Sequence, residues 1–425
     1  MFIEEKKYTS YIFTGKKETC SGCGACAQVC KKNAIVMQPD EEGFLYPVRD
    51  AEKCINCGLC DKRCPVVTNV SNSVESHQHC YVATTSLKKY YGESASIGIC
   101  TMLADKIIKQ GGVVYGCFLD EHDWSVYHKR VIDKKGVESI RNSKYIQSDT
   151  RNTFSEVLYD LKKGKRVFFV GTPCQVAGLK SFLNKDYVNL YTIDLFCHGV
   201  CSPKLLPLEI RYWEKKFNSR IQNFRFRSKR VYHHVNGGMV NFDIAKNGKL
   251  HHIERFAGSS PTYHCFAYSG DEYSYNIRLS CYSCPFRSSS RYADISVGDP
   301  WFVKDSVVET DALKSSNSVR SLFAVNTCKG QEFLAGIEGV LCQQEISFKD
   351  AFVQPAVCKT NRKIPIKREE LFNKLNTSDY GKLVESLFDC RLDKEHFKFV
   401  VSYRKNQIKK CIKSLLNIVK RSVSY

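Results

Sequence analysis

Eight cysteines between Cys20 and Cys64 constrain this chain more than anything else in it. They fall in two runs, CSGCGACAQVC (Cys20, Cys23, Cys26, Cys30) and CINCGLCDKRC (Cys54, Cys57, Cys60, Cys64). Both read C-x-x-C-x-x-C-x-x-x-C, the bacterial spacing for a pair of 4Fe-4S clusters. Three thiolates on one tight loop cover three corners of a cubane, and the fourth reaches the neighbouring cluster. Cys20, Cys23, Cys26 and Cys64 are therefore expected around one cluster, and Cys54, Cys57, Cys60 and Cys30 around the other. Gly22, Gly24 and Gly58 permit the sharp backbone turns this requires. Structural zinc sites use two separated ligand pairs instead, and disulfide scaffolds belong to small secreted chains. Pro65 follows the second run, whereas Lys31 holds the matching position of the first; the difference removes no ligand.

The chain has 425 residues, enough for two or three domains with a real core. It carries 22 cysteines, an N-terminus without the pattern of a secretory signal, and no apolar run of the ~20 residues a membrane span needs. Clustered thiols without a signal are expected in the reducing cytoplasm, where ligation explains them better than disulfides. Lysine and arginine number 64 against 44 acids, a net charge of +20. Nucleic acid, an anionic membrane face, or an acidic protein or substrate would all suit that charge. No nucleic-acid motif accompanies it, so no nucleic-acid partner is expected. A small acidic electron carrier such as ferredoxin, or a phosphorylated substrate, fits better.

The pattern along the chain predicts an α+β protein with an α/β core. Residues 1–75 read as a ferredoxin-type module, with AIVMQPDEEGFLYPV a strand, a turn at Asp40–Gly43 and a second strand. A polar, turn-rich linker follows. Residues 80–375 read as the main domain. There, strands VVYGCFL, WSVYHKRV, RVFFV and NLYTIDLF alternate with helices, which implies a buried, largely parallel sheet. TFSEVLYDLKKG carries a capping-box pattern from Thr153 to Glu156. From Ile221 the pattern turns antiparallel, with a hairpin about Asn247–Gly248. Residues 376–425 form a basic helical tail, in which Ile408, Ile412, Leu415 and Val419 share one stripe. Such a stripe packs on the protein itself or on a partner, or makes peripheral membrane contact.

A second cysteine set lies in the main domain. Cys174 follows a strand at the first turn of a helix, where Pro173 is suited to start it and the helix dipole favours a thiolate. Cys197 ends the next strand, and Cys281 and Cys284 form a C-x-x-C before Pro285. These four thiols suit a third cluster or a zinc, or are unlinked buried thiols; Cys201 and Cys265 are possible substitutes. The cysteines at 80, 100, 117, 328, 342, 358, 390 and 411 read as structural.

The segments SKYIQSD, GTPCQVAGLKSFL, DLFCHGV, SCYSCPF and ADISVGDPW resemble the beta subunit of coenzyme F-420 (deazaflavin) hydrogenases and dehydrogenases. The resemblance runs from about Cys20 to about Lys374. It implies FAD and a third 4Fe-4S cluster in the main domain, held by motif at Cys174, Cys197, Cys281 and Cys284. It also brings coenzyme F-420 into consideration. Ser94, Ser96 and Gly98 stand in the family's flavin-binding loop, here GESASIGIC, with Ile97 where a glycine is expected. Lys144, Tyr145, Gln147 and Ser148 match a second flavin segment; Gly171, Thr172 and His198 adjoin the cysteines. No G-x-G-x-x-G follows a strand, so a dinucleotide site is not expected. The catalytic residues stay open. The resemblance implies an oxidoreductase passing electrons from a ferredoxin through the clusters to a flavin, or the reverse. Bacterial relatives that look like accessory enzymes of surface-polysaccharide synthesis suggest a small-molecule or sugar-lipid substrate. An electron-transfer subunit with no substrate of its own is the rival reading. A redox or iron sensor would carry clusters and no flavin.

Overall fold

A computed structural model describes residues 9–68, 78–229, 238–268, 274–314, 319–353 and 362–423. Its centre is an eight-stranded mixed sheet built from β3 (His79–Thr84), β4 (Val113–Asp120), β5 (Ser125–Val131), β6 (Val167–Gly171), β7 (Leu190–Leu195), β11 (Ile295–Gly298), β12 (Ser321–Val325) and β13 (Cys342–Ile346). The order across it is β13-β3-β12-β11-β7-β6-β4-β5. The β4, β6, β7 and β11 neighbours run parallel, and the remaining pairs are antiparallel. Val167, Phe168 and Phe169 of β6 are completely buried, because helices cover both faces of a parallel sheet. Val114 and Phe168 pack with Leu103, Ile107 and Phe333 on one face. Val113, Val167 and Phe169 pack with Phe154, Val157, Val176 and Leu179 on the other. The expected α+β class is the observed one.

Three particulars differ from the sequence reading. Strand β11 does not join the later antiparallel set; it returns to the main sheet beside β7, pairing Ile295 with Ile193. Strands β3 and β13 were not expected, and both extend the sheet beyond β12. The capping box at Thr153 does not form. The helix Thr153–Lys162 starts after Asn152, and the amides of Phe154 and Ser155 donate to Gln28 Oε1 at 2.7 and 3.3 Å. A side chain from the cysteine module thus does the work assigned to Thr153. A capping box does form at Thr172 and Gln175.

The cysteine module contains the expected hairpin, β1 (Ile35–Pro39) against β2 (Leu45–Arg49). Strands β8 (Ile221–Arg225), β9 (Met239–Lys246) and β10 (Lys249–Phe256) make a separate antiparallel sheet. Its hairpin turns at Asn247 and Gly248, both at positive φ, as a two-residue loop between right-twisted strands favours. Phe44 and Tyr46 of the module share one core with Trp213, Phe242, Leu371 and Phe372. The last helix runs Leu392–Val423. Ile408 and Ile412 on it are exposed, while the side chains of Leu415 and Val419 lie outside the described residues. No described helix is long and apolar enough to cross a membrane.

Candidate functional site

The two cysteine runs fold as near repeats. Gly24 (φ 80°) opens the short helix Ala25–Val29, and Gly58 (φ 69°) opens Leu59–Lys62. In the left-handed region a side chain would be strained, so glycine belongs at both. Cys20, Cys23, Cys26 and Cys64 line one cavity together with Tyr11 and Pro65. Burial, then the neighbouring Cys64, pushes the Cys23 thiol up to about 12; burial likewise raises Cys64 to about 11. Thiols crowded this way resist ionising alone, and a bound cationic cluster relieves that repulsion. The donor set therefore fits a cluster. In the second run Cys57 is exposed and Cys60 buried. The amide of Ala34 donates to Cys30 Sγ at 3.4 Å, and Arg49 Nη1 approaches Cys54 Sγ at 3.8 Å. Asp50 links these two ends, its amide donating to Ala34 O and its carbonyl accepting from Cys54 N.

The main-domain cysteines converge at the carboxyl ends of the parallel strands, where ligands bind in open α/β sheets. Cys174 stands in the first turn of the helix Pro173–Leu183, its Sγ 3.1 Å from Thr172 Oγ1. Burial raises its thiol well above the ordinary range, and the charges of Cys284, Cys197 and Cys281 add to this. The thiols of Cys197 and Cys284 rise to about 11 and about 12, by burial and then by Cys281. The charges of these thiols thus act on one another, and the chemistry of four neighbouring cysteines fits a cluster. Cys201 is fully buried and donates to Asn276 Oδ1 at 3.6 Å, and Cys265 feels Cys390 and Glu209 instead. Arg287 Nη2 and Arg362 Nη2 both donate to the carbonyl of His198, at 2.9 and 2.7 Å. Burial and these two cations hold His198 down at about 3, so its ring is neutral.

The two cysteine sets meet across one helix. A Cβ added at Gly178 would lie 3.0 Å from Cys23 Sγ. Gly178 is one turn beyond Cys174, about 6 Å along the axis. Arg278 makes a second link. Its Nε donates to Cys20 O at 2.7 Å, its Nη1 donates to Gln147 Oε1 at 3.1 Å, and its guanidinium stacks on Tyr46 at 3.8 Å. The carbonyl of Arg278 accepts from the amide of Cys281. Thr150 Oγ1 donates to Cys23 O at 3.0 Å. Sequence reasoning missed Thr150, Gly178 and Arg278, because none belongs to a spaced motif.

The remaining residues singled out from sequence divide into two groups. Ser94, Ser96 and Tyr145 gather near the carboxyl ends of the strands, with Arg227 and Lys229, which no motif indicated. Lys229 Nζ donates to Ser94 O and Ser96 O at 3.0 and 2.9 Å, and burial lowers it to about 7. Arg227 Nη1 donates to Tyr145 Oη at 3.1 Å and to Asp299 Oδ2 at 2.8 Å. Ser96 Oγ donates to Arg320 O, and Gly98 (φ 86°) opens the helix Ile99–Lys109. Asn142 Oδ1, beside Arg227, is buried without a hydrogen-bond partner among the described residues, an opening for a polar ligand. Gly171 and Thr172 end β6 beside Cys174. Gln147 and Ser148 point elsewhere: Gln147 Nε2 donates to Ser21 O at 3.4 Å, and Ser148 Oγ pairs with His128 Nδ1 at 2.8 Å. Lys144 Nζ donates to Ile140 O and Arg141 O, and burial lowers it to about 8.

Residues 164–348 match the model for the C terminus of the beta subunit of coenzyme F-420 hydrogenase/dehydrogenase, and residues 19–68 match a 4Fe-4S dicluster domain. Over these residues the chain is similar to that family of beta subunits, with a segment similar to a dicluster domain in front. An uncharacterized ferredoxin of Methanocaldococcus jannaschii is 45% identical over 49 residues, 12% of this chain and 62% of that protein. The F subunit of the F(420)H(2) dehydrogenase of Methanosarcina mazei is 23% identical over 66% of this chain and 75% of its own. The coenzyme F-420-dependent sulfite reductase of M. jannaschii is 43% identical over 53% of this chain and 38% of its own. The chain thus spans less than two thirds of two of these three relatives. The family is one of oxidoreductases, and the front domain is an iron–sulfur domain.

Proposed function

We propose that this chain is an iron–sulfur flavoprotein oxidoreductase that relays electrons between its dicluster domain and a flavin at the carboxyl edge of the main sheet. A third 4Fe-4S cluster, held by Cys174, Cys197, Cys281 and Cys284, joins the two. The carrying observation is the contact of Cys23 with Gly178, one helical turn from Cys174. Short separation between centres is what a relay requires of its protein. A bound flavin would exchange a hydride with a substrate and single electrons with the clusters. In this reading Ser94, Ser96 and Tyr145 border the flavin, and Arg227 and Lys229 supply positive charge for its phosphates. The names of the F-420 relatives support a deazaflavin as the hydride partner, or a place in a larger complex with an electron carrier such as ferredoxin. The basic surface suits an anionic substrate, including a sugar-lipid precursor of surface polysaccharide.

The test is iron, sulfide and flavin stoichiometry on the full chain purified without oxygen. About twelve irons and one flavin are expected. Cys174→Ala or Cys284→Ala should lower iron to about eight and leave the dicluster signals intact. Unchanged iron would remove the third cluster from the scheme, and a flavin-free protein would remove the relay.

A further inference from the structure

The last helix changes its outward character half-way along. In its first half, Leu392, His396, Phe399 and Tyr403 lie at spacings of four, three and four, which is one face. That face meets the body. Phe399 stacks on Phe256 with ring centroids 4.7 Å apart, and His396 Nδ1 accepts from the Phe256 amide at 3.0 Å.

The apolar residues lie on the other side. Phe397, Val401, Ile408 and Ile412 follow one stripe at spacings of four, seven and four, roughly opposite the packed face. Phe397, Ile408 and Ile412 are 68%, 60% and 51% exposed. Every residue from Arg404 to Lys409 is exposed. No aspartate or glutamate occurs after Glu395, while eight lysines and arginines do. Lys405 and Lys409 flank one edge of the stripe, and Arg404 lies at the other.

We propose that this half-helix docks the protein on an anionic phospholipid surface, lying in the headgroup plane with the stripe buried. The alternative occupant is an acidic protein. The composition favours lipid. Protein interfaces are depleted of lysine at their centres and anchored by Trp, Tyr and Arg. Residues 405–424 contain no aromatic residue and five lysines. A narrow apolar stripe edged by lysine is the pattern of an interfacial helix. The helix lies on the bilayer and does not cross it, because its charges exclude it from the hydrocarbon.

The experiment is flotation of the full chain, purified without oxygen, with vesicles of phosphatidylcholine alone or mixed with phosphatidylglycerol. Binding is expected only to the mixed vesicles and should weaken as salt is raised. Ile408→Glu with Ile412→Glu should weaken partition by about tenfold or more. Lys405→Gln with Lys409→Gln should weaken it by roughly fivefold per charge. Unchanged iron content and visible absorption would show that both double variants are folded. Absence of flotation with the mixed vesicles overturns the proposal, as does equal flotation of the wild type and the Ile408/Ile412 variant. A salt-sensitive complex with an acidic ferredoxin, lost in that variant and without flotation, assigns the surface to a protein instead.

Discussion

His128 is a histidine that the fold holds neutral. Its ring stacks on Phe169 with centroids 5.2 Å apart, and its Nε2 lies 3.0 Å from the carbonyl of Val170. That carbonyl can only accept, so Nε2 carries the proton and Nδ1 accepts from the Ser148 hydroxyl. Burial lowers the ring to about 4, with the charge of Lys144 a smaller cause. The unfolded chain takes up a proton near pH 6.5, before the folded one does. Stability is therefore complete above pH 6.5 and falls as the pH drops toward 4. Between pH 7.5 and 5 this site should cost about 2 kcal/mol. His128→Asn should remove that part of the loss, measured by urea unfolding at the two pH values. His396, also lowered to about 4 by burial, leaves a residual slope. Equal losses in wild type and variant would exclude His128 as a source. Nothing in the sequence marked His128, whereas the cysteines were legible because cluster ligation imposes a short, fixed spacing.

The helix Pro173–Leu183 has two tasks: its first turn presents Cys174, and its second receives the dicluster domain. A Cβ at Gly178 would sit 2.9 Å from Cys23 Cβ, closer than real side chains pack. Gly178→Val should push the cysteine loop away, cost about 1–3 kcal/mol, and slow electron passage from the dicluster to the main domain. Rapid-mixing reduction with dithionite, followed at the flavin and the clusters, measures the rate; unchanged kinetics and stability would show that the contact is slack. Elements like this helix were legible because their apolar periods are local. Sheet position was not. Strand β11 pairs with β7 about a hundred residues earlier, and four residues, three of them buried, carry no record of which neighbour they join. The helix at Thr153 shows the same limit, since its cap arrives from Gln28. The second cysteine set was legible in its members, but its meeting with Cys23 was not.

The dicluster domain is built into the rest of the molecule. The turn between β1 and β2 inserts beneath the helix Ile366–Lys374, where Arg368 Nη1 donates to Glu42 Oε1 at 2.6 Å and Arg368 Nη2 to Ile277 O at 3.1 Å. Arg368 is only 4% exposed, and Phe44 beside this pair is completely buried. Pro-free polar sequence after Thr68 reads as a linker between independent units, yet contacts across 326 residues of sequence join them. A domain sharing its core with the body cannot unfold alone without exposing that core. The full chain should therefore show one calorimetric transition. Glu42→Ala leaves Arg368 buried and unpaired, and removing one partner of such a pair costs about 3–5 kcal/mol. It should lower that single transition and destabilise the dicluster and the main sheet together. Adding Arg368→Met removes the stranded charge and should recover part of the loss, the coupling that a double-mutant cycle reads. Two separate transitions in the wild type, or an Ala variant melting at the wild-type temperature, would mean the turn merely rests against the body. A single shifted transition would make cluster loading and the folding of the main domain one linked equilibrium, because metal that binds only the folded module stabilises everything folded with it.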